Sequence, residues 1–521
     1  MHWADVIAKD ITERAETPLI ATGISPTGII HVGSLREAIT GESIRSAVES
    51  LGKDVKLIYL IDSFDPLRRR YDFLPPEYEK YVGMPICRIP CPCGKHRNYA
   101  HHFVQPFLDA VDSLGVHCEI IWTSDLYAQG KFAECIDITF KKRQEIINIL
   151  HEVSGKEPNP NYAPYEPLCE KCGRYTKPIF DTYKFPYVEY DCPCGHHGKA
   201  DVRKDDGKLT WRLEWPAKWM IFGTSAEPFG KDHAAAGGSY DSGKRLVSEI
   251  FGGKAPYPIP YEFVQLKSGG QIVQMHKSLG SAVTGLDAIN MTPPEVLNYL
   301  FLRTQPNRAI DYDYGMGLLD MTDEYDRMEK AYFSKEFTEA EENAVRAYEI
   351  AQHNHVPPKM PVQVSCRHLV NVVQLADTFE EQMKVLSRTV DISGADEVTI
   401  ARIKKRCECL TYWLKAFAPD MVKFSIRQTV PVHVKLTTLD KTFLIDLVNR
   451  MNDCNWDADT INTIIADTGK ASPLGSKAAY KLIYNLIIGQ DRGPRLGPFL
   501  ASIDKQFVLN RFNQAAFRAE E

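Results

Sequence analysis

The chain has 521 residues, 44% of them hydrophobic and 25% charged, with a formal net charge of −6 at pH 7. That length and balance describe a globular protein with several cores, and the acidic excess excludes a uniformly cationic nucleic-acid binder. No run approaches the roughly 18 apolar residues of a membrane span, and Met1-His2-Trp3-Ala4-Asp5 lacks the charged and apolar regions of a signal peptide. A cytoplasmic setting without a membrane partner is therefore expected, where 13 cysteines point to metal or free thiols sooner than to disulfides.

In chain order, Pro18-Leu19-Ile20-Ala21-Thr22 reads as a short buried strand. The Pro/Gly-broken loop Gly23-Ile24-Ser25-Pro26-Thr27-Gly28-Ile29-Ile30-His31-Val32-Gly33-Ser34 leads from it into a helix expected over about 32–48, with Arg36, Glu37 and Glu42 facing outward. A second apolar strand over 55–61 ends at Asp62. This βαβ order predicts a parallel sheet with its ligand at the carboxyl ends of the strands. From about 77 to 200 the chain turns rich in Cys, Pro, Tyr and His, with helical stretches near 103–114 and 133–153, and reads as an insertion. Sheet-domain character returns near Leu209 and continues to about Asn290. Helix spacing then runs from Pro293 through Tyr348, a Pro-rich linker covers 357–361, and helices are expected over 369–386, 398–417, 442–451 and 477–488.

The expected fold is α/β: a split, Rossmann-like parallel-sheet nucleotide domain (1–80 and 200–290) carrying a zinc-binding insertion (81–199). A helical region (291–356) and an all-α C-terminal domain (361–521) follow.

The chemistry concentrates at two loops. His31 and Gly33 stand where the first helix should begin, and backbone N–H groups with the helix dipole favour an anion there. Glycine lets phosphate approach, and imidazole can donate to a phosphate oxygen. The second loop, Gln274-Met275-His276-Lys277-Ser278-Leu279-Gly280-Ser281, carries one lysine able to neutralise a departing triphosphate tail. Neither a G-x-G-x-x-G fingerprint nor a complete P-loop is present, since Gly238-Ser-Tyr-Asp-Ser-Gly243-Lys244 is followed by Arg245.

Nine cysteines lie between Cys87 and Cys194. Cys169 and Cys172 with Cys192 and Cys194 form two thiolate pairs, each followed by a glycine, and suit tetrahedral Zn²⁺. Cys91, Cys93, His96 and His102 make a second candidate set, with Cys87 or His101 as possible substitutes. Both sets read as structural braces for an insertion poor in apolar residues.

The first loop resembles the HIGH signature of class I aminoacyl-tRNA synthetases, and Gln274-Met275-His276-Lys277-Ser278 resembles their KMSKS loop. Met1-His2-Trp3-Ala4, Trp211-Arg212-Leu213-Glu214-Trp215-Pro216-Ala217-Lys218-Trp219, Pro228-Phe229-Gly230-Lys231-Asp232-His233 and Tyr325-Asp326-Arg327-Met328-Glu329 are similar to the class I lysyl-tRNA synthetases over roughly residues 1–335. Ser34 stands where HIGH ends in His, and Gln274 and His276 replace Lys and Ser of the second loop.

The resemblance implies ATP-dependent activation of L-lysine and its transfer to the 3′ end of tRNA(Lys), with Mg²⁺ accompanying ATP, by a monomer with no DNA partner. It assigns catalysis to His31, Ser34, Lys277 and Ser278, and nucleotide binding to Pro26, Gly28, His31, Gly33, Ser34, His233 and Lys277. Amino-acid binding falls to Gly23, Ser25, Trp215, His233 and Tyr261. A lysine pocket needs an apolar or aromatic wall and an acceptor at its end. Trp215, Trp219 and Tyr261 can supply the wall, and Asp62, Glu37, Glu214 or Asp232 the charge. The helical C-terminal domain would grip the anticodon, with Arg402, Lys404, Lys405, Arg406, Arg492 and Arg495 as its scattered cations, while 290–350 would lie against the tRNA elbow. A glutamate-type class I synthetase and a non-catalytic zinc-containing tRNA-binding protein are the alternative readings.

Overall fold

The computed structural model describes residues 1–273, 283–431 and 434–518. At its centre five strands pair entirely in parallel. They are β1 (Leu19–Ile24), β2 (Lys56–Ile61), β3 (Glu119–Trp122), β4 (Ala226–Gly230) and β5 (Tyr257–Tyr261), in the order β5-β4-β1-β2-β3. The expected strand–helix–strand unit is the pair β1 and β2 joined by α1 (Leu35–Ser50), with a 3₁₀ turn at Val32–Ser34 before the helix. The chain moves outward from β1 in opposite directions, toward β2 and toward β4. This reversal opens a crevice at the carboxyl ends of the strands, where ligands bind in open α/β sheets.

Helix α1 departs from the expected two-faced pattern. Arg36 and Glu42 are each only 2% exposed rather than outward-facing. The helix lies between the sheet and the segments Trp3–Arg14, Pro294–Leu302 and Glu342–Ala351, so little of its circumference meets water. Its buried charges are satisfied locally. Arg36 donates to the carbonyls of Glu262 (2.6 Å), Gln305 (3.1 Å), Pro306 (3.1 Å) and Arg308 (2.8 Å). Glu42 is gripped by Arg45 and by His353 at 3.1 Å. A fully buried guanidinium carrying four carbonyls pins the chain after β5 and the 305–308 turn to the start of α1.

Helix α2 (Tyr99–Ser113) packs Val104, Phe107, Ala110 and Val111 into the core on the α1 side of the sheet and leads into β3, whereas the insertion contributes an antiparallel hairpin (Tyr187–Asp191 with His197–Asp201) and the strand Gly207–Leu209 paired with Tyr165–Pro167. The stretch expected as one helix over 133–153 forms two, Ala133–Lys141 and Arg143–Ser154, broken at Lys142. After the strand comes α3 (Trp211–Phe222), which supplies one wall of the crevice.

The C-terminal half is helical, as the spacing implied, and adds three helices the periodicity did not mark, Ala458–Ala471, Leu496–Ser502 and Lys505–Ala516. One apolar core runs from the α1 side of the sheet through the helices α4 (Gly317–Ser334) and α5 (Glu397–Ala416), and a separate one occupies residues 443–516. Two of the basic residues singled out on α5 are structural. Arg406 is buried in a two-pronged pair with Asp326, and Arg402 reaches Glu329 at 2.7 Å. They lock α5 onto α4 and are not available to a nucleic acid. No helix among the described residues is long and apolar enough to cross a membrane.

Candidate active site

A cavity of about 700 Å³ opens at the carboxyl ends of β1, β2, β4 and β5. Eight residues expected at the site line it together: Gly23 and Ser25 from the end of β1, His31, Gly33 and Ser34 from the turn into α1, Trp215 from α3, His233 after β4, and Tyr261 at the end of β5. Pro26 and Gly28 do not line it. Lys277 and Ser278 lie outside the described residues.

The phosphate side of the cavity is the entry to α1. The backbone at His31–Ser34 winds a 3₁₀ turn directly into the helix, and no side chain caps either start. Of the amides there, Val32 already donates to the Val283 carbonyl and Ser34 to that of His31, both at 3.0 Å, so the dipole of the helix start rather than a row of free N–H groups favours an anion. Gly33 is required by contact rather than by backbone angle, because a Cβ at this position would fall 2.8 Å from the His31 ring. The pair thus packs imidazole against bare backbone.

The opposite side is acidic. Glu37 accepts from the Gly23 amide (2.7 Å) and from the Tyr261 hydroxyl (2.6 Å). Burial dominates its titration and, despite those two donors, pushes the carboxyl up to about 7. Glu227, on β4, accepts from the indole N–H of Trp215 at 2.7 Å and from that of Trp219, and burial pushes it up to about 8. Asp62 closes the floor: burial raises it to about 6 even though Lys218 contacts it. Glu37 and Glu227 form no salt bridge among the described residues, and both face the cavity. Such carboxyls ionise readily only when a cation arrives.

Beneath the floor lies a chain of alternating charges. Asp62 pairs with Lys218, Lys218 with Glu214 (3.0 Å), Glu214 with Lys208 (2.9 Å), and Lys208 with Asp65, which accepts the Ser25 hydroxyl at 2.8 Å. Burial alone would raise Glu214, but Lys208 and Lys218 overrule it and hold the carboxyl down at about 2. Tyr127 completes the shell by donating to Glu214 at 2.8 Å. Of the four carboxylates considered for an ammonium, Glu214 is saturated by this chain and Asp232 is mostly exposed, whereas Glu37 is enclosed and faces the space.

The aromatic wall is a ladder. Trp211 stacks on Trp215 at 5.3 Å, Trp215 tilts onto Trp219 at 4.8 Å, and His233 rests 5.2 Å from Trp211 and 5.6 Å from Trp215. The sequence reading missed Glu227, Asp65, Lys208 and Lys218. Glu227 leaves a trace in the sequence as a lone acid inside an apolar strand, whereas the lysines are recognisable only once the insertion is folded against α3.

Three groups of side chains among the described residues could each hold a metal ion: the two expected sets, and Glu42 with His117 and His353, of which Glu42 is already paired with Arg45. Around Cys91, Cys93, His96 and His102 all six ligand-to-ligand distances fall between 3.3 and 3.6 Å. A tetrahedron with edges of ~3.4 Å has its centre about 2.1 Å from each corner, close to Zn–N and Zn–S bond lengths. Cys169 lies 3.7 Å from Cys194 and Cys172 3.5 Å from Cys192, completing a four-sulfur cage. His101, weighed as a substitute ligand, stacks instead on Trp122 at 4.0 Å.

A parallel sheet with a crevice at its reversal point, an uncapped helix start on one side and buried acids on the other define an α/β enzyme that brings a phosphate-bearing ligand to a cationic one. The family described as class I tRNA synthetases (K) matches residues 1–354, and this chain belongs to that family. A lysine–tRNA ligase of Thermoplasma acidophilum is 39% identical over 512 residues, covering 98% of both chains. One of Archaeoglobus fulgidus is 39% identical over 516 residues, covering 99% of this chain and 100% of its own. Among solved structures, a glutamate tRNA ligase from Elizabethkingia meningosepticum covers 97% of this chain and 100% of its own at 11% identity and a TM-score of 0.46, a likeness too loose to bear on the site.

Proposed function

We propose that this chain is a lysine–tRNA ligase, activating L-lysine with ATP and passing it to the 3′ end of tRNA(Lys). The observation that carries the reading is the pair Glu37 and Tyr261 at one end of a cavity whose other end is the start of α1. Lysine presents an ammonium on an alkyl stem. Glu37, held at about 7 for want of a cation, supplies the matching charge, and Trp215 supplies the apolar wall for the stem. The α-ammonium then falls toward Asp62.

In the first step a carboxylate oxygen of lysine attacks the α-phosphorus of ATP. The bond to the β-phosphate oxygen breaks, giving lysyl-adenylate and pyrophosphate. In the second the 2′-hydroxyl of the terminal adenosine attacks the lysyl carbonyl, and AMP leaves. There is little covalent work for side chains, so the protein positions and stabilises charge. His31, Gly33 and Ser34 receive phosphate, His233, beside Trp211 and Trp215, contacts nucleotide and amino acid, and Lys277 neutralises the departing pyrophosphate while Ser278 donates to it. Mg²⁺, arriving with the triphosphate, would supply charge neutralisation there. Zn²⁺, which Cys91, Cys93, His96 and His102 and the four thiolates of the second cage would hold, would brace the insertion that delivers Lys208 to the floor.

The test is charging. With ATP, Mg²⁺ and unfractionated tRNA, the chain is expected to render radiolabelled lysine acid-precipitable, and glutamate and arginine not. Charging by glutamate in place of lysine would overturn the assignment.

A further inference from the structure

Val273 and Val283 stand on either side of the second loop, and the segments they belong to are both tied to α5 in the C-terminal half. The exit side begins at Val283. Its carbonyl accepts the Val32 amide at 3.0 Å, and Thr284 forms an antiparallel bridge with His31, so the chain leaving the second loop pairs directly with the phosphate turn. Thr284 then caps the short helix Gly285–Met291. Its hydroxyl accepts the Asp287 amide at 3.0 Å, while Oδ2 of Asp287 accepts from the Thr284 amide (2.8 Å) and hydroxyl (2.7 Å). The remaining oxygen, Oδ1, accepts the Tyr412 hydroxyl of α5 at 2.6 Å. Asp287 does not line the cavity, and both its oxygens are spent on holding position.

The entry side is held by the next residue of the same helix. The loop is entered from an antiparallel hairpin, Val264–Ser268 with Gln271–Val273, and Val264–Ser268 pairs in parallel with Ile310–Asp313. Tyr314 follows that last strand. Its amide donates to the Lys267 carbonyl at 3.1 Å, and its own carbonyl accepts the indole N–H of Trp413 at 2.7 Å. Asp313 adds support by accepting the Gly270 amide at the hairpin turn, at 3.2 Å. Successive residues on a helix point about 100° apart, which is how Tyr412 and Trp413 reach two separate segments. The helix that carries them is itself fixed, since Arg402 and Arg406 lock it onto α4.

A loop lysine stabilises a leaving group only if the loop's two ends are fixed against the site, and a misplacement of about 1 Å can cost about 10²-fold in rate. We propose that Tyr412 and Trp413 are positioning residues for adenylate formation, holding the two ends of the second loop in register with His31. Tyr412 acts through Asp287 and Thr284 on the exit end, and Trp413 acts through Tyr314 on the entry end. The helical C-terminal half is thereby part of the activation machinery. The proposal rests on the reading above, in which Lys277 serves the departing pyrophosphate.

The test is lysine-dependent ATP–pyrophosphate exchange by the full-length, metal-loaded chain, with unfractionated tRNA present throughout. Tyr412→Phe removes one hydroxyl and should lower kcat about tenfold, the order of one lost hydrogen bond to a carboxylate. KM for lysine should stay within about twofold, because the lysine pocket is untouched. Trp413→Phe, which keeps a ring but gives up the N–H, should lower kcat by a similar factor. Thr284→Ala should do so too, whereas Thr284→Ser should not, since serine caps a helix as threonine does. In the Lys277→Ala chain, Tyr412→Phe should change kcat by less than about twofold, because both side chains serve one step through one loop. An undiminished loss in Lys277→Ala would overturn the proposal. So would unchanged exchange in Tyr412→Phe, or a loss carried equally by KM for lysine. Exchange by the unaltered chain, measured alongside, reports on the functional reading separately.

Discussion

Tyr261, at the end of β5, donates its hydroxyl to Glu37 on α1 across 2.6 Å, joining the last strand of the sheet to the helix that begins at the phosphate site. The tyrosine is itself held far above its ordinary range, first by burial and then by the neighbouring Glu37 charge, so it stays a donor. One contact therefore fixes the orientation of the carboxyl within the cavity.

Lysine binding should depend on pH through Glu37. Its carboxyl is raised to about 7 and must be ionised to receive an ammonium, so affinity is full above that value and is lost as pH falls through it. Well below pH 7 the dissociation constant for lysine should rise about tenfold per pH unit. Isothermal titration in buffers of different ionisation enthalpy should show about half a proton released per lysine at pH 7. Asp62 and Glu227 titrate in the same cavity, so the check is Glu37→Gln, which should bind lysine at least tenfold more weakly and lose this proton release.

Removing Lys208 should destabilise the protein. Its ammonium lies between Asp65 and Glu214, both buried, and deleting it leaves two acids short of a cation. Breaking a buried pair on one side costs about 3–5 kcal/mol, so Lys208→Ala should lower the denaturant midpoint by a matching amount. The sign with pH follows from Glu214. Its native carboxyl is depressed to about 2, so its contribution is present above the unfolded value of roughly 4.3 and disappears as pH falls from there toward 2. Lys208→Ala gives up much of that contribution already at neutral pH, so the stability gap between the variant and the unaltered chain should narrow as pH falls from about 4 toward 2.

Metal analysis should find two zinc ions per chain. Cys93→Ala should lose one of them and leave the other, because the cages share no ligand. The insertion, expected to be poor in apolar residues, in fact buries Phe132, Ile136, Ile146, Val188 and Val202 in an apolar core, so chelation should loosen the two cages locally, seen as a drop in near-ultraviolet circular dichroism before global unfolding.

Lys277→Ala should slow adenylate formation by about 10²-fold or more while leaving tRNA binding unchanged, as expected for loss of one charge-stabilising donor. Pre-steady-state measurement of pyrophosphate release, with filter binding of tRNA in parallel, separates the two quantities. Equal loss of both would mean that the substitution unfolds the chain.

Much of this was readable from residue order, and the exceptions share a cause. The strand–loop–helix–strand run from Leu19 to Ile61 is local, so its apolar runs and turn glycines mark it directly. The cysteine pairs likewise announce their cages by spacing alone. Arg36 and Glu42 read as solvent-facing because helical periodicity knows nothing of segments 269 and 311 residues further along the chain that cover the second side of α1. Glu227 and Lys208 were missed for the same reason. Their partners come from other elements, so their meaning exists only after the insertion and α3 have closed on the sheet. The run at Arg402–Arg406 looked like a surface charge cluster until Asp326 and Glu329 arrived from α4.

The most direct measurement of the central claim is ATP–pyrophosphate exchange with lysine, norleucine and glutamate in turn. The account predicts exchange with lysine alone, because norleucine fills the aromatic wall but brings no ammonium to Glu37 and Tyr261. Exchange supported equally by norleucine, or by glutamate and not by lysine, would contradict it.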